Sequence, residues 1–219
     1  MSPEPTFPPG LTRRGASVAD IPAVTALVRA AEEADAGEPS VTVEDVESDW
    51  QLSGFHPAVD VLLVYEDGRI VAYAEVPGWR TEATVHPDAR QRGIGTAILA
   101  WTERRAVERT PPGEEVRVGQ TVIDTNATAV SLFGRHGYTP RHTAWALRLP
   151  DDVIFDHPPL PDGITIRPYD TAREEFQVYR VVEDAFNEWP TRVPSTLDDW
   201  RSRVTRRTDF DPSLLLVAT

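Results

Sequence analysis

Residues 84–98, Thr-Val-His-Pro-Asp-Ala-Arg-Gln-Arg-Gly-Ile-Gly-Thr-Ala-Ile, constrain the fold more than any other stretch of this chain. An apolar strand ends at Val85, a turn follows at His86-Pro87-Asp88, and Arg90-x-x-Gly93-x-Gly95 opens a helix. Two glycines at such a junction leave successive backbone N–H groups uncovered at a helix N-terminus, a ready-made seat for a phosphate or pyrophosphate. Strand, loop and helix in this order call for layered α/β architecture.

The surrounding pattern agrees. Residues 1–10 are Pro-rich and are expected to form a flexible arm. Residues 11–16 read as a short strand. Asp20 caps a helix with Pro22 near its first turn and Val24, Leu27, Val28 and Ala31 at helical spacing. Val43–Leu52 reads as a second helix. Asp60–Tyr65 and Arg69–Val76 are strands joined by the hairpin turn Asp67-Gly68. Arg80–Val85 is a further strand, and the helix after the glycine loop runs from about Gly95 to Val107, broken by Pro111-Pro112-Gly113. Val116–Ile123 reads as a strand, Asn126–His136 as a helix ended by Gly137, and Thr143–Leu149 as a final strand. The expectation is one α/β domain of mixed sheet over residues 11–149.

Residues 150–163 read as a linker, and residues 164–219 repeat the beginning of the chain. Ile164–Asp170 corresponds to the Leu11–Asp20 region, Leu197-Asp-Asp-Trp200 echoes Val46-Glu-Ser-Asp-Trp50, and Asp211–Val217 echoes Asp60–Val64. The second copy stops after its first hairpin strand and would leave an unpaired sheet edge. Residues 164–219 are therefore expected to pack on the first domain or on a partner chain, a homodimer included, unless the chain is a processed fragment.

Composition closes several routes. The net charge of -13 argues against a nucleic-acid partner. It favours a cationic partner such as an amine, although solubility alone also accounts for it. The chain has no Cys, which removes disulfides, thiolate metal sites and a cysteine nucleophile, and no metal site is expected. The first ten residues lack the basic start and apolar core of a signal peptide. No apolar run reaches the ~20 residues of a membrane span. A cytoplasmic protein with no membrane partner is expected.

Three phosphate-binding loops compete for residues 90–96. A Rossmann fingerprint needs a third glycine where Ile98 stands, and an acidic residue about 20 positions on. A Walker loop needs Lys, and all 22 basic residues here are Arg. The Arg-x-x-Gly-x-Gly loop of acyl-CoA binding has every element present. Here the chain resembles the GNAT superfamily of N-acetyltransferases. The family pattern of a strand ending Val-x-Pro, then Arg/Gln-x-x-Gly-x-Gly/Ala, matches Val85-His86-Pro87 and Arg90–Gly95. A second family block, Asn-x-x-Ala-x-x-Leu-Tyr-x-x-x-Gly-Phe, matches Asn126-Ala-Thr-Ala129-Val-Ser-Leu132-Phe133-Gly-Arg-His-Gly137-Tyr138. The resemblance covers residues 11–149 as a whole domain and 164–219 as a partial one, and the tandem layout resembles mycothiol-synthase-like double GNAT proteins.

The resemblance implies a mixed, mostly antiparallel sheet flanked by helices, with a partial second GNAT repeat. It implies acetyl-CoA as cofactor and a small-molecule amine as acceptor, with acetyl transfer by direct attack in a ternary complex. The pyrophosphate would sit on the amides of Gln91, Arg92, Gly93, Ile94, Gly95 and Thr96, flanked by the side chains of Arg90 and Arg92. The pantetheine arm would pair with the backbone at Thr84 and Val85, where the strand splays from Val118–Ile123. An amide near Val85 would stabilise the oxyanion. Asn126 would bond the CoA arm, or cap its helix, or both.

Amine acetylation needs a base to deprotonate R-NH3+. Glu82, three residues before Val85, stands where the family often places it, and Glu75 on the preceding strand is the second candidate. His86 titrates in a useful range but reads as a turn residue. The family commonly draws its general acid from the Tyr of the second block, and this chain has Phe133 there. Tyr138 reads as core, and Tyr73 is a weaker candidate acid. Trp50 and Trp79 are candidates to line the acceptor pocket, or plain packing residues. Phe133 keeps open a non-catalytic acyl-CoA-binding or regulatory module, or a dimerising scaffold.

Overall fold

The computed structural model describes residues 5–154, 158–189 and 192–219. Its first unit is a five-stranded sheet in the order β1 (Thr12–Arg14), β2 (Val61–Glu66), β3 (Arg69–Glu75), β4 (Arg80–Val85), β5 (Gly119–Gln120). The first three pairings are antiparallel and β4 pairs with β5 in parallel. This is the expected mixed, mostly antiparallel sheet. Helices cover both faces: α1 (Ile21–Ala36) and α2 (Val43–Trp50) on one, α4 (Ile94–Arg109) on the other, with a single turn α3 (Pro57–Asp60) leading into β2. α5 (Ala127–Arg135) follows β5.

Local chemistry sets these elements. α1 has Pro22 in its first turn and buries Ile21, Val24, Leu27 and Ala31. It ends at Gly37, whose φ of 84° a side chain would strain. α2 begins with a reciprocal capping box, Thr42 Oγ1 accepting from the Asp45 amide while the Asp45 carboxylate accepts from the Thr42 amide. Asp67 and Gly68 both take positive φ, 48° and 79°, as the tight hairpin between β2 and β3 requires. Leu63 and Tyr73 on one sheet face pack with Val24, Leu27 and Trp50, while Ala72, Ala74, Ile94 and Ile98 form a second core under α4. Each fully buried Leu, Ile or Val contributes roughly 1.5–3 kcal/mol.

Asp60 fastens α4 to the start of β2. Its carboxylate is fully buried and accepts from Arg105 Nε (2.9 Å) and Nη2 (2.7 Å), Arg109 Nη1 (2.5 Å) and the His56 amide (2.7 Å). Burial alone would raise its pKa, but the Arg109, His56 and Arg105 hydrogen bonds hold it below the ordinary aspartate value.

Residues 164–219 form a second, smaller unit: β6 (Ile166–Pro168), α6 (Glu175–Phe186), α7 (Leu197–Arg203) and β7 (Leu216–Ala218), with β6 and β7 antiparallel. The strand–helix–helix–strand order repeats β1, α1, α2 and β2. This unit packs on the first within the same chain, α7 against α2.

Several local expectations need correction. The strand placed at Val116–Ile123 shrinks to Gly119–Gln120, because β4 and this segment part after two residues. The strand placed at Thr143–Leu149 does not form; this segment has no strand partner among the described residues and leaves Trp145 and Leu147 exposed. Of the expected N-terminal arm, residues 1–4 lie outside the described residues, but 5–10 are not loose. Pro5 is buried, and Phe7 packs on the α4-side core with the Arg13 guanidinium 4.5 Å above its ring. Residues 155–157 of the expected linker also lie outside the described residues. In the repeat, the two capping boxes align Thr42 with Thr196, so Trp200 corresponds to Val46 and not to Trp50. The echo between the two tryptophans was displaced by one helical turn, which preserves the apolar face and so hides the slip.

Candidate active site

The glycine loop takes the form its sequence requires. After Val85 the chain turns through Pro87–Ala89, where His86 Nδ1 accepts from the Asp88 amide at 3.2 Å, so this imidazole has a turn-forming role. Gln91 and Gly93 then take positive φ, 61° and 83°, and α4 starts at Ile94. None of the amides of residues 91–96 has a protein acceptor among the described residues. The Ile94 side chain is buried beneath them and roots the helix start in the core. Alternating backbone of this kind, opening a helix, forms an anion cradle. Gly95 permits α5 to approach: a Cβ there would stand 3.3 Å from Leu132 Cδ2.

The flanking arginines are engaged otherwise than the sequence suggests. The Arg90 guanidinium forms a bidentate pair with Asp35 in the last turn of α1 (2.6 and 2.9 Å), and its Nε donates to the Val85 carbonyl at 3.3 Å. Asn126 Nδ2 donates to the same Asp35 carboxylate (2.9 Å), while Asn126 Oδ1 accepts from the Ala129 amide (3.0 Å). Both ends of the Asn126 amide are thus occupied, as helix cap and as partner of Asp35. Arg92 pairs with Glu66. Arg90 and Asn126 therefore shape the loop by tying it to α1 and α5, with Asp35 at the centre. Sequence reading missed Asp35. It lies 55 residues from Arg90 in an acidic helix end, and no spacing rule marks such a partner.

The sheet opens beside this cradle. β4 pairs with β5 only at Arg80–Thr81, and from Glu82 to Val85 it has no strand partner on that side among the described residues. Trp79 packs over the junction so closely that a Cβ on Gly119 would lie 2.8 Å from its ring. Thr84 and Val85 stand opposite Tyr73 and Ala72 of β3.

The candidate bases meet on the sheet face covered by α1 and α2. Glu75 and Glu82 are direct cross-strand partners, which places their Cβ atoms about 5 Å apart. Glu75 is only 4% exposed, and its Oε2 accepts from Trp50 Nε1 at 3.0 Å. Burial is the main cause that raises its pKa to about 7; the charges of Glu82 and Asp49 add to it, and hydrogen bonds from Tyr73 and Trp50 oppose it. Glu82 is exposed in the cleft. Desolvation by the cleft walls and the Asp49 and Glu32 charges raise it, and Arg80 opposes them; its exposure to solvent screens the shift. The arrangement provides a buried carboxyl that titrates near neutrality behind a solvent-facing one. Trp50, a suggested pocket wall, instead orients Glu75.

Phe133 on α5 packs against Tyr138, ring centroids 5.5 Å apart. The Tyr138 hydroxyl donates to Glu103 Oε1 at 3.2 Å, and burial with the Glu103 charge raises its pKa. Tyr73 is buried, and desolvation with the Glu75 charge raises its pKa far above the ordinary tyrosine value.

A family model described as acetyltransferase (GNAT) domain matches residues 57–140, from α3 through the α5 block. A mycothiol acetyltransferase of Parafrankia sp. is 31% identical over 201 residues, covering 87% of this chain and 60% of the relative. One from Kineococcus radiotolerans is 33% identical over 206 residues, covering 90% and 64%. The chain thus spans less than two thirds of the length of these curated relatives. The crystal structure of a GCN5-related N-acetyltransferase from Sphaerobacter thermophilus superposes with a TM-score of 0.70 at 30% identity, covering 98% of this chain and 69% of the other. No described helix is long and apolar enough to cross a membrane. The glycine loop, the parted sheet and these likenesses agree: the chain belongs to the GNAT family of acetyltransferases.

Proposed function

We propose that this chain transfers an acetyl group from acetyl-CoA to the amine of a small molecule. One observation carries the proposal: six consecutive amides with no protein acceptor among the described residues open a helix beside the point where β4 and β5 part. That cradle fits a pyrophosphate, and the unpaired edge from Glu82 to Val85 fits an extended amide-bearing arm. Gln91–Thr96 would hold the cofactor by backbone alone, with Arg90 and Asn126 fixing the shape of the loop through Asp35. When bound, acetyl-CoA supplies an activated thioester.

The chain's own residues then have defined tasks. Glu82 faces the cleft and accepts the proton of the incoming ammonium. Glu75, behind it and near neutrality, sets how readily that proton is taken and shares the charge. The chain has no cysteine for an acyl-cysteine route, so transfer runs directly in a ternary complex. The relatives' name puts mycothiol-related amines first among acceptors to be tried.

The test is CoA release from acetyl-CoA over a panel of amines, with Gly93→Val as control. At Gly93 a side chain must adopt positive φ, and a branched one pays most for it. Wild-type protein is expected to release CoA with at least one amine, and Gly93→Val to lose at least about tenfold in acetyl-CoA affinity. Saturable acetyl-CoA binding with no release on any amine supports the second reading, a CoA-binding module. Phe133, which has no proton to give where the family pattern has Tyr, favours that reading.

A further inference from the structure

We infer that α2 and α7 form a quasi-twofold docking face between the two units, and that Asp49 and Arg203, meeting at its centre, select the unlike unit over another copy of the same one. The equivalence is fixed by local structure. Thr42 and Thr196 head capping boxes with Asp45 and Asp199, each pair 154 positions apart. On that offset Ser48 corresponds to Ser202, Asp49 to Arg203 and Ser53 to Arg207. Ser48 and Ser202 are both buried, and each hydroxyl bonds back to a carbonyl of its own helix.

The contacts between the units obey the same offset. Asp45 Oδ1 accepts from Arg207 Nη1 at 2.8 Å, and Asp199 Oδ1 accepts from the Ser53 amide at 2.9 Å. Residue 45 therefore meets the counterpart of 53, while the counterpart of 45 meets 53. That reciprocity is the signature of an isologous contact, here between two halves of one chain. Asp49 Oδ1 and Arg203 Nε, 3.6 Å apart, are each other's counterparts, so they sit where the quasi-axis passes.

A position on an axis meets its own equivalent. If two first units paired through this face, Asp49 would meet Asp49; if two second units did, Arg203 would meet Arg203. Only the unlike pair brings opposite charges together, and like charges set against each other act as a selective repulsion. Asp199, with its backbone donor, supplies adhesion that side-chain identity at residue 53 does not alter.

A charge-swap cycle on the full chain tests this. Asp49→Arg and Arg203→Asp, each alone, place like charges on the axis, and amide hydrogen exchange across residues 43–50 and 197–203 should speed up about three- to tenfold. The double variant Asp49→Arg/Arg203→Asp should return to within about twofold of wild type, while exchange in β3 stays constant throughout. Unchanged exchange in the single variants, or a double variant that adds the two effects, would overturn the docking role. Light scattering then reads selection. An equimolar mixture of the two single variants should contain a heterodimer that neither shows alone, because opposite faces now lie on different chains. Absence of that species from the mixture would overturn the selective role.

Discussion

Glu75→Gln is expected to make the protein more stable at pH 8 while removing most of its activity. The carboxyl is 4% exposed and its pKa is raised from 4.5 to about 7. A raised carboxyl binds its proton more tightly in the folded chain, so its contribution to stability is full below about pH 4.5 and is lost as pH rises through about 7. At pH 8 the buried charge costs on the order of 3 kcal/mol at 1.36 kcal/mol per unit. Glutamine keeps an acceptor for the Trp50 indole and carries no charge. Its stabilisation should be largest at pH 8 and vanish near pH 4, as denaturant melts at the two values would show. Activity should move the other way, with kcat falling by about 10²–10⁴, because the proton that Glu82 accepts is shared with Glu75. Glu82→Gln offers the complementary sign. The Glu82 charge helps to hold Glu75 up, so its loss lets Glu75 ionise at lower pH. Whatever activity remains should keep an acid limb displaced to lower pH. A variant at Glu75 that keeps wild-type kcat would exclude it from the chemistry.

The second large effect is structural. Asp60→Ala should destabilise the first unit by about 3–5 kcal/mol, because it leaves the Arg105 and Arg109 guanidiniums partly buried with their shared partner gone. In a chain of this size that lowers Tm by roughly 8–15 °C. The same group gives the wild-type protein an acid-labile element. Its lowered pKa stabilises the fold fully above the ordinary aspartate value near 4, and that stabilisation is lost as pH falls through the depressed one. Asp60→Ala should therefore lose less than wild type between pH 5 and pH 3 in calorimetric melts. A loss of only a few tenths of a kcal/mol would show that α4 does not depend on this carboxylate.

The order of elements was legible because it is written in local signals. The Asp67-Gly68 turn, the Pro22 helix start and the glycines at 93 and 95 each act within a few residues of themselves. The strand pattern at Val116–Ile123 and Thr143–Leu149 misled for a physical reason: alternation shows that a segment suits a sheet, and pairing depends on a neighbour that the sequence does not display. The cradle was legible for the same local reason as the turns. Its surroundings were not, because Arg90 and Asn126 reach Asp35 across 55 and 91 residues. The balance between the two candidate bases was hidden as well. Both are glutamates on adjacent strands, and only burial against the Trp50 indole separates one that titrates near neutrality from one that opens onto solvent.

That residues 91–96 hold acetyl-CoA is tested by ligand-dependent melting. A ligand that binds only the folded chain stabilises it by about 2.7 kcal/mol at 100 times its Kd, which is a rise of roughly 5–10 °C at this chain length. Such a rise is expected for the wild-type protein with acetyl-CoA, and at most about half of it for Gly93→Val at the same concentration, since a tenfold weaker Kd leaves about 1.4 kcal/mol. No shift in the wild-type protein at millimolar acetyl-CoA, or an equal shift in both, would contradict it.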